Sequence, residues 1–381
     1  MKKLPFLPLL LLAANSCRKV TNAFKPIGDS PIGDGFYHYI SDNFTGSLYH
    51  NFTKLGQEQD EQLQPSRVPM NHYTTIGMPQ LLLGFEGIQP LLEAQGERFV
   101  NVPVPVGDDC FYNLCKSDSG AQLWGEVQTH QGRRVLRGFV PHFEGKSKLR
   151  VCLVTKNGAP WQFNDGTVSD KVLHGGYLAV WDHDDGVMDF LRDYTEEHEG
   201  EEGITLAQMV VKTDQGVILA GLGFVNPDTR NAYCAFNFDC PNFACLGRDT
   251  LHPIMATIQL AAFAREIKTF ASVEEYYASL ADKPDDMRLS SRFFGPSNCL
   301  DAADDSGYAF IVGHVIQAEK KTNELTGKSF FWALVRTAGD MEIDVVVDEG
   351  LPGAWNTEPP RVGGVVRVYG WLSGRLLSDS P

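Results

Sequence analysis

An alternation of apolar and polar residues with a period of two recurs from residue 97 to residue 372, in short runs separated by turn residues. This period puts alternate side chains on opposite faces of an extended backbone, so each run predicts a β-strand. The prolines at 103 and 105 confine the first strand, over 97–106, to the edge of a sheet. The other predicted strands are 122–129, 134–143, 149–155, 175–181, 216–224, 232–238, 308–317, 329–336, 341–347 and 362–372.

Spacings of three and four between apolar residues predict helices in other parts of the chain. Such spacings occur over 79–95, 185–199 and 253–270, and the last of these begins with Pro253, a residue suited to a first helical turn. Ser272 and Glu275 form a capping box that predicts a further helix to about residue 281.

The two patterns together predict an α+β fold: a mixed, β-rich body with several helices over 36–290, a linker over 291–305 and a small β module over 306–376. A chain of 381 residues with 43% hydrophobic residues is long enough for two such units, each with its own core. The strand order of the module, with Gly363 to Gly370 near its end, resembles an OB-fold barrel. A small sandwich and an SH3-like barrel are the alternatives.

The resemblance to OB-folds implies a binding face, because such barrels take oligonucleotides or oligosaccharides on an exposed sheet face. Phe331, Tyr369 and Trp371 are the aromatic candidates for that face, and the alternative is that they fill the barrel core. A formal net charge of −15 disfavours nucleic acid, so protein or saccharide is the predicted partner.

The first 17 residues have the parts of a secretory signal: two lysines, an apolar run from Leu4 to Ala14, and small residues before Cys17. Cleavage there would expose Cys17 for lipidation, which would be the chain's only attachment to a membrane. Residues 18–35 carry two near copies of Pro-Ile-Gly-Asp and predict a linker. A cytoplasmic chain with a fortuitously apolar N-terminus is the alternative.

Few residues in the chain suggest chemistry. No nucleophile elbow, zinc-protease motif or dinucleotide fingerprint occurs, and no cofactor is predicted. A divalent cation is the one candidate: Asp182, His183, Asp184 and Asp185 offer several hard ligands, and the alternative is a strand end followed by a helix N-terminus, where carboxylates are favourable.

Basic residues between 133 and 150 stand out in an acidic chain. Arg134 and Lys148 are predicted to point outward together and to meet an anionic ligand or partner, and the alternative is that they balance local acidic residues. His142 and His174 lie at strand ends, where loops often carry function. The eight cysteines leave disulfides, buried thiols and a structural metal open.

These observations predict an exported binding or scaffold protein of the cell envelope or the extracellular space. The prediction depends on a large body without a catalytic motif and on a β module of a recognition type. A metal-assisted hydrolase that uses the aspartates at 182–185 with His183 is one alternative, and an intracellular protein is the other.

Overall fold

The computed structural model describes residues 72–78, 99–163, 165–182, 224–225, 232–233, 235–247, 253–283, 288–296, 307–351 and 359–377. Within these ranges the chain forms fifteen strands and one α-helix, α1. The elements are β1 (Phe99–Pro103), β2 (Cys110–Lys116), β3 (Ala121–His130), β4 (Arg133–Phe143), β5 (Leu149–Ala159), β6 (His174–Trp181), β7 (Phe224–Val225), β8 (Ala232–Tyr233), β9 (Ala235–Asp239), β10 (Ile254–Phe270), α1 (Val273–Ala278), β11 (Phe293–Pro296), β12 (Tyr308–Asn323), β13 (Lys328–Arg336), β14 (Glu342–Asp348) and β15 (Val365–Leu376).

The first sheet is an antiparallel meander of β1, β2, β3 and β4. β1 lies at its edge, as its prolines predict, because proline cannot donate to a second neighbouring strand. The β3–β4 hairpin turns at Gln131 and Gly132, whose φ angles are 49° and 74°. Two consecutive positive φ angles are the geometry of the turn that matches the twist of a hairpin.

The second, larger sheet is organised around a long antiparallel ladder of β10 and β15. The other edge of β10 pairs with β5 over Ile254–Ile258 and with β14 over Ala261–Phe263. The other edge of β15 pairs with β12 and, at Ser373, with Asp239 of β9. Two closed rings therefore share the ladder: β10-β14-β13-β12-β15 and β10-β5-β6-β9-β15.

One apolar cluster spans both rings, with Leu153 and Phe236 in one and Ile311 and Val345 in the other. A second cluster joins the first sheet to the outside of the first ring, where Phe143 meets Phe330 and Trp332. The meander therefore packs on the ladder and the first ring, and this contact forms the seam at which the candidate site lies.

The prediction of an α+β body with several helices was wrong. Of the described residues, 59% lie in strands and 8% in helical turns, and α1 is the one α-helix among them. Residues 253–270, predicted as a helix, form β10, the strand shared by both rings.

The error at β10 has a physical cause. Leu260 and Ala262 face the cluster inside the rings, whereas Ala261 and Phe263 face the cluster against the first sheet. A strand buried on both faces is a continuous apolar run, and such a run contains the helical spacings as well.

The Ser272 cap was predicted correctly, although the helix that it opens ends at Ala278 and not near residue 281. Ser272 Oγ accepts a hydrogen bond from the Glu275 amide at 3.3 Å, and the Glu275 carboxylate accepts one from the Ala271 amide at 2.5 Å. The predicted helices over 79–95 and 185–199 lie outside the described residues.

The predicted body and the predicted module share one sheet, since β10 belongs to the first and β12 to β15 belong to the second. Within the described part of the chain, no helix combines the length and hydropathy that a membrane span requires.

Candidate functional site

A cavity of about 600 Å³ lies at the seam where the end of the central ladder meets the connection between β4 and β5. Its volume is in the range of small-molecule sites in proteins. Four parts of the chain form its wall: residues 144–148, the turn after β9, β10 and the end of β15. The lining residues are Glu144, Gly145, Ser147, Lys148, Asn242, Cys245, Leu246, Gln259, Arg375, Leu376 and Leu377.

The connection over 144–148 is held in place by Asp344 of β14. The Asp344 carboxylate, which is fully buried, accepts hydrogen bonds from the amides of Lys146 and Ser147, both at 2.9 Å. Gly145 allows this approach, because a Cβ atom there would lie 2.1 Å from Asp344 Cγ. The Trp332 indole, at 2.8 Å, is a further donor to the same carboxylate. This cavity wall is therefore fixed by a buried carboxylate whose oxygens are both hydrogen-bonded.

A chain of hydrogen bonds runs from Asp344 beneath the cavity to β15. Gln259 Nε2 donates to Asp344 at 2.8 Å, so Gln259 Oε1 faces His142 Nε2, at 2.6 Å, and accepts from it. His142 Nδ1 then accepts from Ser373 Oγ at 2.8 Å. His142 and Ser373 are both fully buried, so a substrate cannot reach them and the pair joins β4 to the ladder.

His142 is held neutral in this chain. Burial, and after it the charge of Arg375, lowers the pKa of His142 to about 3. The neutral ring has one donor, Nε2, and one acceptor, Nδ1. These match the acceptor Gln259 Oε1 on one side and the donor Ser373 Oγ on the other.

The turn after β9 forms the opposite wall and is also fixed. Asn242 Nδ2 donates to the Leu376 carbonyl at 2.9 Å, and Asn242 Oδ1 accepts from the Leu376 amide at 3.0 Å. The Ala244 amide donates to the Tyr112 hydroxyl of the first sheet at 3.0 Å. Since both walls are tied to buried strands, the cavity is part of the folded structure.

Two cationic side chains line the cavity. Arg375 is 17% exposed and donates through one Nη to Glu144 at 2.8 Å. Its Nε is buried and has no hydrogen-bond partner among the described residues. Lys148 is exposed and forms no ion pair with any residue that the structure describes.

Glu144 is the carboxylate of the lining and is already engaged. It accepts from Arg375, from Lys116 at 3.1 Å and from Gln122 at 2.5 Å. Burial alone would raise the pKa of the Glu144 carboxyl, but the two cations outweigh it and the pKa lies below its ordinary value. Glu144 therefore neutralises only part of the positive charge around the cavity.

Cys245 lines the cavity with a partly buried thiol. Burial raises the pKa of this thiol to about 11, so the side chain is uncharged at neutral pH. It adds to an apolar side of the cavity made with Leu246, Leu376 and Leu377. No disulfide joins any of the five cysteines in the described ranges, Cys110, Cys115, Cys152, Cys240 and Cys245.

A second polar cluster lies outside the cavity, on the first sheet. His174 Nδ1 is 2.9 Å from Glu126 Oε1, and this hydrogen bond raises the pKa of His174. The Glu126 side chain is 4% exposed, and Arg137 is 3.6 Å from its other oxygen. None of the three lines the cavity; they join β3, β4 and β6.

The structure places one of the two predicted basic ligand residues at the cavity. Lys148 is in its wall, whereas Arg134 lies beside the hairpin turn at the far end of β4 and packs over Phe111. Arg134 is at the start of β4, a strand roughly 30 Å long, and Lys148 lies beyond its other end. They do not form one basic surface.

The three aromatic candidates do not form one face. Trp371 is 7% exposed, stacks on His72 with ring centroids 4.4 Å apart, and donates from its indole to Asp239. Tyr369 stacks on Tyr308, whereas Phe331 packs against the cluster that spans the rings. Trp371 is thus a core residue, the alternative that the sequence left open.

Of the predicted metal ligands, Asp182 is described and His183, Asp184 and Asp185 lie outside the described residues, as does Cys17. The Asp182 side chain is 1% exposed and lies 3.5 Å from Arg150 Nε. In the described ranges no three His, Cys, Asp or Glu side chains form a group that could hold a metal. The cation site remains a prediction.

Sequence reasoning did not find Glu144, Gln259 and Arg375 as site residues. No motif links them, because they are up to 231 positions apart and meet only when the first sheet packs on the ladder. Arg375 had one indication in the sequence: it is a basic residue in the last strand of the chain. Comparisons of the chain with family models, with curated proteins and with solved structures found no match.

Proposed function

We propose that this protein is a binding protein whose ligand is a small molecule held in the cavity at the seam. The observation that carries the proposal is the cavity itself, about 600 Å³ in volume, with two walls fixed by buried hydrogen bonds. A site that is formed before the ligand arrives does not pay the cost of ordering loops on binding.

The lining has the composition of a ligand site. Leu246, Leu376 and Leu377 offer apolar surface, and a few polar groups converge on the same space. No nucleophile with an adjacent base lines the cavity among the described residues, so binding accounts for the lining better than catalysis does.

The place of action belongs to the same proposal. The apolar leader over 1–17 supports export to the envelope or the extracellular space. No disulfide occurs among the five described cysteines, so the case for export depends on the leader alone.

Cys245 allows a direct test of the cavity. Its alkylation by N-ethylmaleimide at pH 8.5 would be followed by mass spectrometry of the peptide that contains it, in the presence of small alcohols, acids and amines. We expect at least one class of compound to slow labelling of Cys245.

Leu377→Trp would be the variant that tests the cavity, because a larger side chain in its wall fills the space that the ligand would occupy. We expect it to slow labelling without a ligand and to abolish protection by the compound. Val362→Trp, at an exposed position outside the lining, should leave both unchanged. If no compound protects Cys245 and Leu377→Trp labels at the normal rate, the proposal is wrong.

A further inference from the structure

The two cations of the cavity wall indicate which chemical class of ligand enters it. We propose that the ligand is a small amphipathic monoanion, a carboxylate with an aliphatic or aromatic body, that binds through Lys148 and Arg375. This inference deepens the proposed function and depends on it.

The first argument is the unused hydrogen-bonding capacity of Arg375. Its Nη group is taken by Glu144, but its buried Nε has no partner among the described residues. Buried donors in folded proteins are normally paired, and an orphaned one costs free energy. Nε is closed to solvent, so a ligand oxygen would pair with it only after a small turn of the Arg375 side chain, which lines the cavity.

The second argument is charge. In the lining, Lys148 and Arg375 carry two positive charges and Glu144 carries one negative charge, which leaves one positive charge. Outside the lining, the exposed Lys116 pairs with Glu144, the exposed Lys146 donates to Gln317, and the buried Asp344 lies behind Ser147 and Gln259. A monoanion neutralises the remainder, whereas a phosphate dianion would leave a negative charge above Asp344.

The third argument is the distribution of polar and apolar side chains in the cavity lining. The other polar groups are already used: Gln259 by Asp344 and His142, and Asn242 by Leu376. Besides Lys148 and Arg375, the ligand meets Cys245 and three leucines. An anionic head with an apolar body matches both parts of this surface.

The test compares three amphiphiles that differ only in the head group: octanoate, octanol and octylamine. Their dissociation constants for the full chain would be measured by isothermal titration calorimetry at pH 7.5. We expect octanoate to bind about tenfold or more tightly than octanol, because hydrogen bonds to charged groups are worth that much, and octylamine to bind weakest.

Variants locate the effect. Lys148→Met should weaken octanoate about tenfold and leave octanol unchanged, since Lys148 is exposed and forms no ion pair within the described ranges. Arg375→Lys keeps the charge but replaces the planar guanidinium and its several donors with a single ammonium, and should also weaken octanoate. Lys328→Met, an exposed lysine on β13 outside the lining, is the matched control and should bind as the natural chain does.

The outcomes separate this inference from the proposed function. Equal binding of octanoate and octanol, or an unchanged octanoate affinity in Lys148→Met, overturns the monoanion while the cavity remains a binding site. Binding of none of the three also overturns it, and protection of Cys245 by other compounds then decides whether the proposed function survives.

Discussion

At the scale of single residues, buried polar groups determine the geometry of the seam. Asp344 accepts from two backbone amides, an indole and an amide side chain, so its carboxylate is fully satisfied without a cation. Asp344 begins a buried chain of hydrogen bonds through Gln259 and His142. Removing one side chain from it leaves the neighbouring polar groups unpaired, which costs more free energy of folding than the lost hydrogen bond. Asp344 and Gln259 thereby fix the position of the cavity wall over residues 144–148.

The neutral His142 makes the free energy of unfolding depend on pH. In the unfolded chain a histidine binds a proton below about pH 6.5, but in the fold His142 binds one only near pH 3. The unfolded state therefore binds more protons between these values, and stability falls as the pH drops below 6.5. The loss from this residue is about 1.4 kcal/mol per pH unit.

The variant that tests this is His142→Gln, whose stability would be measured by urea unfolding at pH 6.5, 5.5 and 4.5. We expect its stability to fall less steeply with decreasing pH than that of the natural chain, by about that amount per unit. Ser373→Ala is the control: it leaves His142 Nδ1 unpaired but removes no titrating group, so it should lose about 1–3 kcal/mol, by a similar amount at each pH. Parallel pH curves for His142→Gln and the natural chain would contradict the assignment.

At the scale of elements, β10 organises the molecule. It is paired on both edges and covered on both faces, with Leu260 and Ala262 on one side and Ala261 and Phe263 on the other. Alanine has the highest intrinsic helix propensity, yet pairing and burial outweigh propensity here. The bulge between Ala264 and Glu266 marks where the strand leaves this doubly covered region.

The position of β10 predicts the order of amide exchange. Hydrogen–deuterium exchange followed by mass spectrometry should find the amides of residues 258–264 among the most protected of the chain. Those of α1 should exchange faster, because α1 is one short helix at the surface with Tyr276 as its buried residue. Exchange over 258–264 as fast as that of α1 would contradict the central position of this strand.

At the scale of the whole molecule, the two rings share one ladder, and the first sheet packs across it. β14 and β15 each pair with β10, so the strands of residues 307–377 do not close a ring by themselves. Burial of residues such as Val345, Val366 and Leu372 depends on this closure. The unit that closes the ring is therefore larger than the segment that the sequence suggested as a module.

A fragment of residues 306–377 tests this organisation. Without β10, two strand edges and part of the apolar cluster are exposed, and we expect a chain with little chemical-shift dispersion in a proton–nitrogen NMR spectrum. The full chain is the reference for a folded spectrum. A dispersed spectrum from the fragment would mean that residues 306–376 form an independent module after all.

The sequence by itself determined the local features: most of the strands, the edge position of β1, the Gln131-Gly132 turn and the Ser272 cap. Each depends on side chains only a few residues apart, which alternation, proline and capping rules read directly. The tertiary structure alone decided that residues 253–270 form a strand and not a helix. It also decided that Glu144, Gln259 and Arg375 meet around one cavity with Lys148. These depend on which faces are covered and on contacts between distant segments, and a linear pattern carries neither.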